Sequence, residues 1–313
     1  MVKIVDVAAR AGVSTATVSR VLNGTRVRPD LDEAVRRAIE ELDYIPNRTA
    51  RSLRRRHSDV IALVIPDVEN PFFTAVARGV EDVAQEAGLS VVLCNSDDDA
   101  AKERRYLAVA EHENMAGVVL APAGPQPALT GLTDRGRAVV VIDRRVPDDV
   151  DQVVFDNVAL GRRGAEALVA RGHRVIACIT GPLSTTTAVD RAEGWRAVLA
   201  ERGLPAGPLV HANFRVDGGR AAMSELLAGE VLPDAVLAAN NLVGVGVLQT
   251  LAGWEGPAVD VGVVGDLPFA TSDVSRLAQV PLGTREMGVR AAELLLARLR
   301  GPKSAPGVHV LDP

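Results

Sequence analysis

The first 45 residues carry no strand-like apolar run. Their apolar positions recur at helical spacing, in three short groups. Ile4 to Ala11 reads as a first helix broken by Gly12, and Ser14 is a suitable N-cap for a second helix reaching Leu22. Val18, Val21 and Leu22 share one face of that helix. Pro29-Asp30 opens a third helix with apolar positions Leu31, Val35, Ala38 and Leu42, and Pro46 stops it. Three short helices with a glycine turn between the first two suit a helix-turn-helix domain.

From Asp59 the pattern changes. Apolar runs of five to eight residues (VIALVIP, LSVVLCN, AGVVLAP, AVVVID, RVIACIT, PLVHANF, AVLAANN, VGVVG) alternate with amphipathic stretches. Those stretches predict helices over 72–87, 101–113, 159–171, 188–202, 217–228 and 242–252. Such alternation indicates parallel sheets with helices on both faces. It is long enough for two sheets, dividing near Asp156-Asn157, with a last helix over 285–300 returning to the first.

Charge sharpens this division. The chain's net charge is −5, but residues 1–58 carry +5 and the remainder −10. A basic head on an acidic body is the pattern of a polyanion-binding module joined to something else. No apolar run is long enough to cross a bilayer, and the opening MVKIVDVAARAG has no signal-peptide pattern, so a cytoplasmic protein without a membrane partner is expected. Cys94 and Cys178 each sit in an apolar run and read as buried small hydrophobes. There is no G-x-S-x-G, H-E-x-x-H, C-x-x-C or phosphate loop, and Gln249 spoils a dinucleotide fingerprint around Gly244 and Gly246. Nothing nominates a nucleophile, a metal or a cofactor, so none is expected.

In a helix-turn-helix the second helix presents its N-terminal residues to base edges. Thr15 and Ala16 are small enough to meet a thymine methyl, and Arg20, one turn on, can present two donors to a guanine. Ser14, Ser19 and Asn23 suit phosphates, and Thr17 completes the candidate set.

The stretches IVDVAARAGVSTATVSRVLNG and LDYIPNRTARSL closely resemble the LacI/GalR (lactose-repressor) family. So do NPFF at 70–73, DRR at 143–145, GPLSTTTAVDRAEGW at 181–195, AANN at 238–241 and DLPFA at 266–270. The resemblance implies a small all-α helix-turn-helix head (1–46), a hinge helix or linker (47–57) and an α/β two-lobed, periplasmic-binding-protein-like body. The body's N-terminal lobe would be 58–157 with 283–308, and its C-terminal lobe 158–282 with 309–313, the final strand cut short. It also implies a dimeric repressor on a palindromic double-stranded DNA operator, controlled by a small-molecule effector. In the hinge, Asn47, Arg48 and Ala50 would contact DNA, and Leu53 would wedge open a base step. A helix so short should be disordered without DNA, and such a wedge kinks a pyrimidine–purine step most cheaply.

Ligands in such folds bind beyond the carboxyl ends of strands. Phe72, Phe73, Asp143, Arg144, Thr187, Arg191, Phe214, Asn240 and Asp266 fall there, and the resemblance places the effector pocket at these same residues. Carboxylates and amides that bind hydroxyls, an arginine clamp and aromatic rings suit a sugar; for the three phenylalanines a plain core role is an equal reading. The chain departs from the family pattern at several points. Arg28 replaces a serine, Asp32 an arginine, Asn241 an aspartate, and 264–266 runs two residues short. No leucine-heptad tail follows Pro313, so the assembly expected is a homodimer. A nucleobase- or nucleoside-responsive member of the same family, a solute-binding protein and an enzyme are the competing readings.

Overall fold

The structure, a computed structural model, describes residues 2–22, 25–44, 58–267, 276–301 and 304–312. The expected DNA contacts at Asn23 and at the hinge residues Asn47, Arg48, Ala50 and Leu53 lie outside the described residues. Two compact units result, Met1–Ser58 and Asp59–Pro313.

The first unit is helical: α1 (Ile4–Ala11), α2 (Thr15–Leu22) and α3 (Pro29–Glu41). Gly12 ends α1 in the left-handed conformation, φ 69°, which glycine adopts without steric cost. Ser14 Oγ accepts the Thr17 N–H at 3.2 Å and so caps α2. Val7, Ala8, Val18, Val21, Val35 and Ala38 form the buried core.

The second unit holds β1 (Val60–Ile65), α4 (Pro71–Glu86), β2 (Ser90–Asn95), α5 (Ala100–His112), β3 (Gly117–Leu120), α6 (Thr130–Thr133), β4 (Ala138–Ile142) and β5 (Asp151–Phe155). There follow α7 (Asn157–Ala170), β6 (Ile176–Thr180), α8 (Thr186–Glu201), β7 (Leu209–His211), α9 (Val216–Ala228), β8 (Ala235–Ala238) and α10 (Asn241–Leu251). β9 (Asp260–Val264), β10 (Leu277–Val280), α11 (Thr284–Leu299) and β11 (Val308–Leu311) close the order. The strands make two parallel sheets, ordered β11-β5-β4-β3-β1-β2 and β10-β9-β8-β6-β7.

Alternation along β1 shows why the runs are apolar throughout: Ile61, Leu63 and Ile65 meet Phe73, Val76 and Met287 of α4 and α11. Ala62 and Val64 face the opposite way, toward Leu107 of α5 and Leu132 of α6. The second sheet is likewise covered on both faces, with Cys178 in the layer of Leu160 and Trp195 and its neighbours Ala177 and Ile179 against Met223 and Val247. Both cysteines are buried, and burial pushes the Cys178 thiol up to about 12. On the first face α7 and α8 press so closely that a Cβ on Gly161 would stand 2.0 Å from the Arg191 carbonyl oxygen. One on Gly194 would stand 2.1 Å from that of Val158.

The end of the chain differs from expectation. Residues 309–313 were assigned to the C-terminal lobe, but β11 pairs in parallel with β5, Val308 opposite Gln152 and Leu311 opposite Phe155, in the first sheet. The reason is local. Helix α11 lies against α4 and the first sheet, and the buried Asp151 takes two hydrogen bonds from Arg298 of α11 and one from Gly307 N–H. The short connection therefore delivers the last strand beside β5. Among the described residues no helix is long and apolar enough to cross a membrane.

Candidate functional site

Between the two sheets of the second unit lies a cleft of about 410 Å³. Its walls come from the carboxyl ends of strands and the first turns of helices, the position expected for a ligand in such sheets. All nine predicted pocket residues line it: Phe72, Phe73, Asp143, Arg144, Thr187, Arg191, Phe214, Asn240 and Asp266.

Arg191 is the most constrained of them. It is 5% exposed, and its Nε donates to Asn157 Oδ1 at 2.8 Å while Nη1 donates to the Ala239 carbonyl at 2.6 Å. It thereby ties the starts of α7 and α8 to the end of β8. Burial pulls its guanidinium below arginine's usual range, against the opposing charges of Asp143 and Asp190. Asp143 follows β4 at φ 66°, a left-handed conformation that aspartate tolerates better than most residues. Its carboxylate is about nine-tenths buried, and Arg144 Nε is 3.6 Å away. Burial raises its pKa, with Arg144 and Arg191 opposing. Among the described residues that carboxylate accepts no hydrogen bond, so it is left open to a donor from the cleft.

Phe214 also stands at positive φ, 57°, uncommon for so large a residue. Asn240 Nδ2 holds its carbonyl at 2.9 Å, and the ring lies so close over Gly181 that a Cβ there would come within 2.4 Å. Asn240 Oδ1 in turn caps α10 through the Val243 N–H at 2.8 Å, so much of its polar capacity is spent on the fold. Phe72 and Phe73 meet edge to face, with centroids 4.9 Å apart, and Phe73 is core on one side and cleft wall on the other.

On the first unit, Ser14, Thr15, Ala16 and Arg20 are exposed, and Thr17 and Ser19 are partly covered. Four other arginines of this unit are engaged: Arg10 with Glu41, Arg28 with Asp30, Arg36 with Asp32 and Arg37 with Glu33. Among the described residues the Arg20 side chain has no such partner. Arg28, the candidate stand-in for a phosphate-binding serine, is held by Asp30 through Nε at 3.1 Å and Nη2 at 2.6 Å.

Residues 58–296 match the family of periplasmic binding proteins and the sugar binding domain of LacI family, and residues 3–47 match the lacI family of bacterial regulatory proteins. The chain belongs to the LacI family. The ribose operon repressor of Halalkalibacterium halodurans is 36% identical over 305 residues, covering 96% of this chain and 91% of that protein. Among solved structures, a complex of the transcriptional regulator CelR with cellobiose is 33% identical, with a TM-score of 0.73, covering 99% of this chain and 97% of that one. The lac repressor dimer bound to operator and the anti-inducer ONPF is 25% identical, with a TM-score of 0.85, covering 99% and 96%.

Other cleft residues of this LacI-family chain escaped the sequence reading. Asn70 caps α4 by accepting the Phe72 N–H at 3.0 Å, and the same Oδ1 accepts from Asn241 Nδ2 of the other lobe, also at 3.0 Å. Arg215 Nη2 lies 3.8 Å from Asp67 Oδ2, a second approach across the cleft. Asp98 reaches in from the turn after β2 to bind Arg144. An asparagine before Pro71 marks a helix cap in the sequence, but which lobe it would face is not written there. Among the described residues no group of side chains is placed to hold a metal ion.

Proposed function

We propose that this chain is a sequence-specific DNA-binding transcriptional repressor that works as a homodimer on a palindromic operator and is controlled by a sugar bound between the lobes of its body. The observation that carries the first half is Arg20: exposed, without a partner among the described residues, and on the helix that a helix-turn-helix presents to the major groove. Ser14, Thr15, Ala16, Thr17 and Ser19 lie beside it, and Asn23, Asn47, Arg48, Ala50 and Leu53 join the DNA contacts on the residue match alone. The second half rests on the cleft. Asp143 and Asp266 accept from hydroxyls, Thr187 donates, Arg191 braces the wall between the starts of α7 and α8 and the end of β8, and Phe72 and Phe214 offer faces to apolar C–H surfaces. Two relatives, a ribose operon repressor and a regulator in complex with cellobiose, agree with this class. A regulator of this kind works where the chromosome is, in the cytoplasm.

The mechanism is a shift between two arrangements of the dimer, one holding the two heads at operator spacing and one not. A ligand moves that balance only by its differential affinity for the two. The test is selection of random duplexes by the purified protein at physiological salt, with sequencing of the bound pool. A palindrome with a central pyrimidine–purine step is the expected result, and a pool without enrichment contradicts it.

A further inference from the structure

The charges of the cleft distinguish one kind of sugar from another. Among the described residues three arginines line it, and each is already engaged. Arg144 Nη1 donates to Asp98 Oδ1 at 2.6 Å and to the Pro122 carbonyl at 2.8 Å. Arg191 is spent on Asn157 and the Ala239 carbonyl, and Arg215 sits beside Asp67. Four carboxylates, Asp67, Asp98, Asp143 and Asp266, line the same space.

Arg144 is the pivot of this balance. Its side chain is 9% exposed, and Asp98 and Asp143 both lie against it. Glu103, 2% exposed, lies behind, its Oε2 accepting the Ala123 N–H at 2.6 Å. Three carboxylates thus share the neighbourhood of one guanidinium. The Asp143 carboxylate, with no hydrogen bond among the described residues, calls for a ligand that donates. A hydroxyl does so, whereas a phosphate or carboxylate oxygen would meet it with like charge and nothing to donate.

We propose that Asp98 sets the ligand class of the cleft: by holding Arg144 it makes the site select an uncharged polyhydroxyl ligand and turn away phosphorylated or carboxylated sugars. This rests on the reading of the cleft as a sugar site. Asp98 is suited to the part because its side chain is 47% exposed and carries charge to the site without needing deep burial. Asp97 and Asp98 both stand at φ 55°, where asparagine is accepted as readily as aspartate, so Asp98→Asn removes the charge and leaves the turn.

The experiment is calorimetric titration of the full chain with D-ribose, D-glucose, cellobiose, ribose 5-phosphate and glucose 6-phosphate. The wild type binds a neutral sugar, and its phosphorylated counterpart at least about a hundredfold more weakly, as like charges brought together in an enclosed site require. In Asp98→Asn the phosphorylated sugar gains at least about tenfold relative to the neutral one. In the double variant Asp98→Asn with Arg144→Gln that gain is lost, which a merely structural role for Asp98 would not produce. A wild type that takes both forms equally, or a selectivity ratio unchanged in Asp98→Asn, overturns the assignment and leaves the sugar reading standing. Absence of binding by every sugar of either kind overturns both.

Discussion

Arg20 and Asp143 carry opposite obligations, one to stay free and the other to stay buried with a carboxylate that accepts no hydrogen bond among the described residues. Among the described residues Arg20 is exposed and unengaged while four other arginines of the head are bound to carboxylates; Arg26 is exposed and unengaged too, but Arg20 is the one on α2, the helix that faces base edges. Arg20→Ala should cost about 1–3 kcal/mol on the selected operator and relax preference at one base pair per half-site, read by competition binding. An equal loss on every sequence would make Arg20 a phosphate contact instead. Asp143 pays in stability for its position. Burial raises its pKa, so between the ordinary carboxylate value and the raised one the folded chain holds the extra proton, and stability falls as pH rises. Above that window the ionised group remains a cost. Asp143→Asn should therefore melt higher than the wild type near pH 8, with the difference shrinking toward pH 4, while sugar affinity drops at least about tenfold. A variant that melts lower at every pH contradicts this. Residue types at strand ends made Asp143, Thr187 and Arg191 legible in the sequence. Asn70 and Asp98 were not, and Asn241 stood out only as a departure from the family, because their roles depend on which distant side chain stands opposite, as Asn241 does to Asn70 across 171 positions.

Elements were legible where the period was strong and obscure where polar residues interrupt it. The head's helices and the main α/β alternation follow from spacing alone. β5 opens with Asp151 and Gln152, which disguise a buried strand; Gln152 is satisfied by exchanging hydrogen bonds with the backbone of Val146, and Asp151 by Arg298. β10 and β11 are four residues each, and Gln279 and His309 interrupt their apolar runs. The same Asp151 explains why β11 joins the first sheet. Burial pushes its carboxyl up, but the hydrogen bonds from Arg298 and Gly307 outweigh that and hold it below the usual carboxylate range. Its contribution is thus present above the unfolded pKa and lost as pH falls through the folded one. Asp151→Ala leaves Arg298 without its partner and should cost about 3–5 kcal/mol at pH 7, shrinking in acid, measured by urea unfolding across pH. An unchanged midpoint at pH 7 would mean that β11 is held by its ladder alone.

At the scale of the whole molecule, an acidic body of net charge −10 carries a head of +5. That division, with the alternation of apolar runs, made a two-part protein readable before any contact was known. What spacing could not reveal is how far the head has neutralised itself: Arg28 and Asp32, where the sequence departs from its family, pair with Asp30 and Arg36 in the free protein. Such exposed pairs are worth little and open readily, so phosphates can compete for them, and operator affinity should still fall as salt rises. The central claim is that the cleft governs the head. Binding free energies are reciprocal, so a ligand that shifts operator affinity must have its own affinity shifted by the same factor. The most direct measurement is the operator dissociation constant of the full chain at increasing concentrations of the neutral sugar that binds it. A change of at least about fivefold is expected, saturating at the sugar's own dissociation constant and needing at least about tenfold more sugar in Asp143→Asn. A sugar that fills the cleft and leaves operator affinity untouched would contradict it.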